Sequence, residues 1–327
     1  MSASTSHRAG TADSWHGAVS PDGPFTPKAG RYHLYIGLFC PFAHRANLIR
    51  HLKGLTSIID VSIVQPSSKG EKGWPGWPFP ISDEEYPSAT VDKLYGSKYL
   101  HEIYFRADKD YKGRYSVPVL WDSETETIVN NESLDLLRSL QTSFDPLLPE
   151  DQRGAVFYPP HLQSKIDEIV KWMQEDLNFG VYKAGNAPNQ EAYDKLVVPV
   201  FAALNKLEDM LANTGGPYLL GDTLTETDLQ AYPTLIRFDT VYHGLFKCNL
   251  GSIRHDYPLL NNWLKNLYWN VPGFKETTNF KHIKETYVKN FPNHNPQGII
   301  SMGPIPDVEK GFEADFSKVK AGNVGLP

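Results

Sequence analysis

The chain has 327 residues, of which 12% are aromatic and 21% charged, and a formal net charge of −6 at pH 7. That composition excludes a disordered chain and leaves room for two domains of ordinary size. The acidic balance, without any run of Lys or Arg, excludes a nucleic-acid surface, and no apolar stretch approaches the length that a bilayer demands.

Residues 1–30 are rich in Ser, Ala, Gly and Pro and carry neither an apolar signal core nor an Arg-rich amphipathic pattern. They read as a flexible arm without an export or organelle address. The two cysteines, Cys40 and Cys248, fit a reducing, cytoplasmic compartment where thiols stay free. Cys248, inside Leu245-Phe246-Lys247-Cys248-Asn249-Leu250, reads as a core residue and not as a resolving thiol.

The first structural signal is Tyr32-His33-Leu34-Tyr35-Ile36-Gly37-Leu38-Phe39, an aromatic and β-branched run. After Cys40-Pro41 the spacing turns helical through Ala46–Leu52 and stops at Gly54. Cys40 therefore stands where a strand hands over to a helix, and Pro41 suits the first helical position, whose N–H has no partner within the helix. Free amides and the positive dipole end at such a junction stabilise a thiolate, lowering a thiol pKa from about 8.5 toward roughly 3.5 to 7.5. His44 and Arg45, one turn on, add positive potential. A lone cysteine is more often a small buried hydrophobe, but a Cys-Pro step at this junction is a more specific signal than a lone thiol.

A second β-branched run, Ser57–Gln65, completes a βαβ unit and predicts two parallel strands. Residues 66–112 are a long excursion, rich in Pro, Gly and Ser over 66–92, where Trp74 and Trp77 lie, with helical spacing over Lys93–Phe105. A loop of this length carrying tryptophans packs over something. Tyr115–Asp122 and Thr127–Asn131 predict a hairpin, and Glu132-Ser133 opens a further helix. Pro118 demotes its run to an edge unless its peptide bond is cis. The order is that of an α/β thioredoxin-like domain over 31–145, with Cys40 and Val117-Pro118 meeting at one end of the sheet.

A Pro-rich linker covers 146–160. Over 161–290 only helical periodicity persists, in Ile166–Met173, Tyr193–Ala212 and Thr225–Phe238, and more weakly in Asp256–Asn270 and Phe280–Lys289. Thr225-Glu226-Thr227-Asp228 is a capping box. The expected second domain is an all-α helical bundle, followed by an extended tail over 291–327.

Cys40-Pro41-Phe42-Ala43-His44-Arg45 resembles the Cys-Pro-Trp-Ala-His-Arg signature of the glutathionyl-hydroquinone reductases, the Xi class of glutathione transferases. So do Gly76-Trp77-Pro78-Phe79, Val117-Pro118-Val119-Leu120-Trp121-Asp122, Asn130-Asn131-Glu132-Ser133, Pro233–Asp239 and Phe246–Leu250. Phe42 in place of Trp departs toward the Omega class, and Val288 with Asn290-Phe291 departs from the family's aromatic pattern.

The resemblance implies a glutathione transferase fold in which Cys40 is catalytic and glutathione is the co-substrate. Glu132 takes the γ-glutamyl ammonium, Ser133 donates to the γ-glutamyl carboxylate, and the Val117 backbone pairs with the cysteinyl part. Either Trp77 or Trp74 covers the peptide, and Arg106 and Arg45 are weaker candidates for balancing its charge. Tyr182, Tyr242 and Tyr287 match positions lining a hydroquinone pocket. The resemblance also implies a homodimer, with no nucleic-acid or membrane partner. No His, Cys, Asp or Glu group shows metal-ligand spacing. The implied reaction is removal of glutathione from glutathionyl-hydroquinones through a Cys40 mixed disulfide. Its rivals are an Omega-like thiol transferase or dehydroascorbate reductase, and a non-catalytic ligand-binding protein.

Overall fold

The structure is a computed structural model and describes residues 15–66, 76–304, 312 and 315–327. Trp74 lies outside the described residues. The described residues up to Val156, together with Glu276–Pro292, form one compact unit, and Phe157–Lys275 with the described residues from Asn293 onward form another.

The first unit is built on four strands, β1 (Tyr32–Ile36), β2 (Asp60–Ile63), β3 (Val119–Asp122) and β4 (Thr127–Asn130), in the order β2-β1-β3-β4. β1 and β2 are parallel, with His33 opposite Asp60, as a βαβ unit requires, and β3 runs antiparallel to both β1 and β4. All five residues of β1 are buried, which suits a central strand covered on both faces. α1 (Pro41–Leu52) connects β1 to β2, and α3 (Ser133–Ser139) packs beside it after the hairpin. The arrangement is thioredoxin-like, as the order of elements in the sequence predicts.

Three local expectations shift. The helix in the excursion, α2 (Leu100–Ala107), begins seven residues later than the predicted Lys93. Asp92 accepts the amides of Leu94 and Ser97, and Gly96 adopts φ +62°, so a closed polar turn occupies the predicted first helical turns. Glu102 then caps α2 by accepting the Lys98 and Tyr99 amides at 2.9 and 2.8 Å. The run Tyr115–Asp122 becomes a strand only from Val119, because the Ser116 amide and carbonyl are both bonded to the Tyr104 hydroxyl. Pro118 therefore precedes the ladder and removes none of its bonds; the Val117-Pro118 peptide is cis. Finally, the end of the N-terminal arm is tied to the sheet edge: the Gly17 amide donates to Val129 O at 2.8 Å, and Asn130 Nδ2 donates to Gly17 O at 2.9 Å.

His33 gives β1 a pH dependence. Its ring is buried against Ser62 Oγ at 2.7 Å, and burial pushes its pKa down from 6.5 to about 4. Below pH 6.5 the unfolded chain takes up a proton that folded His33 refuses until about pH 4. The neutral ring thus contributes stability that is fully present above pH 6.5 and is lost as pH falls to 4, about 3 kcal/mol in all. Urea midpoints measured from pH 7.5 to 4.5 are expected to fall more steeply for the wild type than for His33→Gln. Equal slopes would remove His33 from the account.

The second unit is helical: α4 (Gln163–Met173), α5 (Gly180–Gly185), α6 (Gln190–Thr214), α7 (Glu226–Arg237), α8 (His243–Leu245), α9 (Ile253–Asp256) and α10 (Pro258–Asn270). Two π-helical turns, Gln174–Asn178 and Phe238–Tyr242, interrupt the run from α4 to α5 and from α7 to α8. Every residue of α7 is buried. At its start the Asp228 carboxylate accepts from the Leu219 and Thr225 amides, the Thr225 hydroxyl and the Trp263 indole, completing the predicted capping box. Glu208 of α6, also fully buried, accepts the Leu259 and Leu260 amides at the start of α10 and the Gly322 amide of the tail. Asn205 binds both the N–H and the C=O of Val324, so the chain's end is docked along α6.

The last helix, α11 (Phe280–Asn290), follows α10 in sequence but belongs to the sheet unit. His44 Nε2 lies 2.8 Å from Thr277 Oγ1, the Tyr86 hydroxyl donates to Glu285 at 2.6 Å, and His282 Nε2 donates to Pro87 O at 2.7 Å. No helix among the described residues is long and apolar enough to cross a membrane.

Candidate active site

After β1 the chain turns through Gly37 to Cys40, whose amide donates to Gly37 O at 2.9 Å. A Cβ on Gly37 would stand 2.5 Å from the tip of the Phe39 ring, so any side chain there would have to displace that ring. Cys40 is the N-cap of α1, with Pro41 behind it, as the Cys-Pro step predicts. Its half-buried sulfur accepts the Ala43 amide at 3.5 Å and lies 3.6 Å from the Val117 carbonyl oxygen. The two contacts act in opposite senses: an amide N–H favours the thiolate, whereas a carbonyl can be satisfied only by the protonated thiol. A ligand N–H that engages the Val117 carbonyl would leave the amide side unopposed.

The unit that holds Cys40 also holds most of the residues singled out in the sequence. The Trp77 ring packs on Phe39, with centroids 4.5 Å apart, and its carbonyl accepts the Leu100 amide. Glu132 caps α3 and its amide donates to Asn130 Oδ1 at 2.7 Å; Ser133 beside it is buried. Arg45 reaches from α1 to Ser133 Oγ at 3.4 Å and lies over the Phe42 ring at 5.1 Å. Phe42 therefore contributes an aromatic face for a buried guanidinium. His44 Nε2 lies 2.8 Å from Thr277 Oγ1.

Arg106 lies on α2 of the same unit. It is exposed near the end of α2 and stacks on Tyr95 at 4.1 Å, a ring that packs in turn on Trp121 of β3. Tyr287, on α11 of the same unit as Cys40, is buried and stacks on Phe291. In the helical unit Tyr182 and Tyr242 form a pair, with hydroxyls 3.4 Å apart and ring centroids 5.7 Å apart. Tyr242 ends one π-helical turn and is fully buried against Phe238 and Phe246; Tyr182 follows the other and is half-buried. Such π turns re-aim side chains that a regular helix would direct elsewhere.

Cys248 is fully buried, and burial pushes its thiol up to about 12, so it is inert where Cys40 is accessible. Among the described residues no group of three or more His, Cys, Asp or Glu side chains could hold a metal ion. Sequence reasoning missed Trp15 and Tyr104, whose partners lie up to 116 residues away, beyond the reach of any local pattern.

Two family models match, one described as "Glutathione S-transferase, N-terminal domain" over residues 39–143 and one as "Glutathione S-transferase, C-terminal domain" over 190–266. The chain belongs to the glutathione transferase family. This transferase is 48% identical over 297 residues to "Glutathione S-transferase omega-like 2" of Schizosaccharomyces pombe, covering 89% of this chain and 91% of that one. It is 44% identical to "Glutathionyl-hydroquinone reductase YqjG" of Escherichia coli, covering 93% and 88%. The glutathione-bound structure of YqjG matches with a TM-score of 0.82 over 90% of this chain and 94% of that one. The glutathione transferase Xi of Phanerochaete chrysosporium matches with a TM-score of 0.86 at 44% identity, covering 93% and 99%.

Proposed function

We propose that this glutathione transferase is a cysteine-type, Xi-class glutathionyl-hydroquinone reductase. The observation that carries the reading is the Cys40 sulfur at the N-cap of α1, between the Ala43 amide and the Val117 carbonyl. The similarity to YqjG, whose name gives that activity and whose structure holds glutathione, supports it. Cytoplasmic location and a homodimer belong to the same reading.

In the first step the Cys40 thiolate attacks the sulfur of the glutathionyl-hydroquinone. The new S–S bond forms as the aryl carbon–sulfur bond breaks, and its electron pair leaves with the aromatic carbon, which takes up a proton. A tyrosine helps to deliver that proton, since a phenol can stack on a quinol and hydrogen-bond to it. In the second step the thiolate of free glutathione attacks the glutathionyl sulfur of the mixed disulfide, releasing oxidised glutathione and regenerating the Cys40 thiolate. The aromatic carbon gains two electrons and two glutathione sulfurs, the thioether sulfur of the substrate and the thiol of free glutathione, lose one each, so no resolving cysteine is needed, in keeping with Cys248 being fully buried.

Glu132 and Ser133 hold the γ-glutamyl end, the Val117 backbone pairs with the cysteinyl part, and Trp77, fixed on Phe39, covers the peptide. The cysteinyl N–H occupies the Val117 carbonyl, which leaves the Ala43 amide to favour the ionised Cys40 sulfur. Arg106, stacked on Tyr95, is the weakest of the glutathione contacts.

Phe42 and the omega-like relative favour a second reading, an Omega-like thiol transferase using the same cysteine. Turnover of glutathionyl-menadiol is expected to exceed that of hydroxyethyl disulfide at equal enzyme concentration; the reverse order would favour the Omega-like reaction. If intact-mass measurement shows no glutathione on Cys40 after exposure to oxidised glutathione, the protein is a non-catalytic binder.

A further inference from the structure

Where the β3–β4 ladder ends, a tyrosine takes over. The ladder's last pair is Leu120 with Asn130. The two segments proposed to bind glutathione, Val117 before β3 and Glu132-Ser133 after β4, both lie beyond that pair, where no rung of the sheet spaces them. Tyr104, on α2 and fully buried, reaches into this gap. Its hydroxyl donates to Ser116 O at 2.7 Å, accepts the Ser116 amide at 3.2 Å and accepts Asn131 Nδ2 at 3.3 Å. A phenol offers one proton and two lone pairs, and all three are used here. Ser116 is the residue before Val117, and Asn131 the residue before Glu132.

We infer that Tyr104 is a positioning residue for glutathione: its one oxygen fixes the distance between the segment that binds the cysteinyl part and the turn that binds the γ-glutamyl end. The inference rests on the glutathione reading above. The two sub-sites must be spaced to fit a dipeptide unit, and a hydrogen-bonded oxygen shared by both segments holds that spacing before the ligand arrives, which reduces the ordering cost of binding.

The surroundings suit the task. Burial pushes the Tyr104 phenol up, so the proton that it gives to Ser116 O is retained. Its ring is clamped by Tyr111, stacked at 5.1 Å, by Tyr115 edge-on at 5.5 Å and by Trp15 of the N-terminal arm at 5.7 Å. Trp15 closes the other side of the turn: its amide donates to Asn131 Oδ1 at 2.9 Å, and the Asn131 amide donates to its carbonyl at 3.2 Å. His16 adds a contact to Asp135 in the first turn of α3 at 2.7 Å. The arm thus fastens the Asn131 side of the gap while Tyr104 spans it.

The test is Tyr104→Phe, which keeps the ring and removes only the shared oxygen. Binding of S-methylglutathione, an unreactive analogue, is measured by calorimetry, alongside alkylation of Cys40 by iodoacetamide, which needs no peptide site. The expected result is an analogue Kd raised about tenfold, equivalent to about 1.4 kcal/mol. The KM for glutathione should rise in parallel, with kcat at saturating glutathione and the alkylation rate both within about twofold of wild type. A merely structural role would not produce this split. An unchanged Kd and KM in Y104F, with a wild type that binds the analogue, would overturn the role of Tyr104 alone. A wild type that does not bind the analogue would overturn the glutathione reading, and this inference with it. Should Y104F not fold, Asn131→Ala severs the γ-glutamyl side of the bridge, together with the bond from the Trp15 amide to Asn131 Oδ1. It is expected to weaken the analogue about threefold, with alkylation unchanged, and wild-type affinity there would equally overturn the inference.

Discussion

Cys40→Ser is expected to lower turnover of glutathionyl-hydroquinones by at least about a thousandfold, about 4 kcal/mol of lost transition-state stabilisation. The size follows from the bond being made. The first step requires a sulfur–sulfur bond, and a serine hydroxyl at the N-cap of α1 neither ionises near neutral pH nor forms a reducible bond to the glutathionyl sulfur. The cap itself survives, because a serine oxygen accepts the Ala43 amide at least as well as sulfur does. Folding and glutathione binding should therefore be kept. Steady-state turnover with glutathionyl-menadiol, paired with calorimetry of S-methylglutathione, checks both halves. Wild-type turnover in this variant would refute the covalent scheme.

The largest effect on stability is expected at Asp228. Its carboxylate is fully buried and serves four donors, the Leu219 amide, the Thr225 amide and hydroxyl, and the Trp263 indole N–H, at 2.9 to 3.1 Å. Each donor left unsatisfied in the core costs about 1 to 3 kcal/mol, and neighbouring losses are not additive, so Asp228→Ala is expected to cost about 3 to 5 kcal/mol. Thr225→Ala breaks only one of these bonds and is expected to cost about 1 kcal/mol. Urea unfolding followed by far-UV circular dichroism measures both. A loss below about 1 kcal/mol for Asp228→Ala would show that water replaces the carboxylate at little cost.

Much of the sheet unit was legible because its signals are local. The run Tyr32–Phe39, the Cys40-Pro41 step and the spacing of Ala46–Leu52 each act through backbone preferences a few residues long, and the structure places β1, the N-cap and α1 accordingly. The capping box at Thr225 and Asp228 is of the same kind. The predicted helix starts at Leu100 and not at Lys93 for an equally local reason: Asp92 offers its carboxylate to the amides of the next turn, and Gly96 takes a left-handed conformation. The charge of Arg106 is legible in the sequence, whereas its stacking on the Tyr95 ring is a tertiary contact.

The sequence by itself determined the order of strands and helices, the place of the thiol at a strand-to-helix junction, and the family resemblance carried by its motifs. Only the tertiary structure decided that α11 joins the sheet unit through Thr277, Glu285 and His282, that two π turns present Tyr182 and Tyr242 to each other, and that Tyr104 and Trp15 hold the two sides of the gap beyond the hairpin. The reason is range. Backbone propensity is set by neighbours along the chain, whereas these contacts join residues from 12 to 233 positions apart, whose meeting depends on how the whole unit packs.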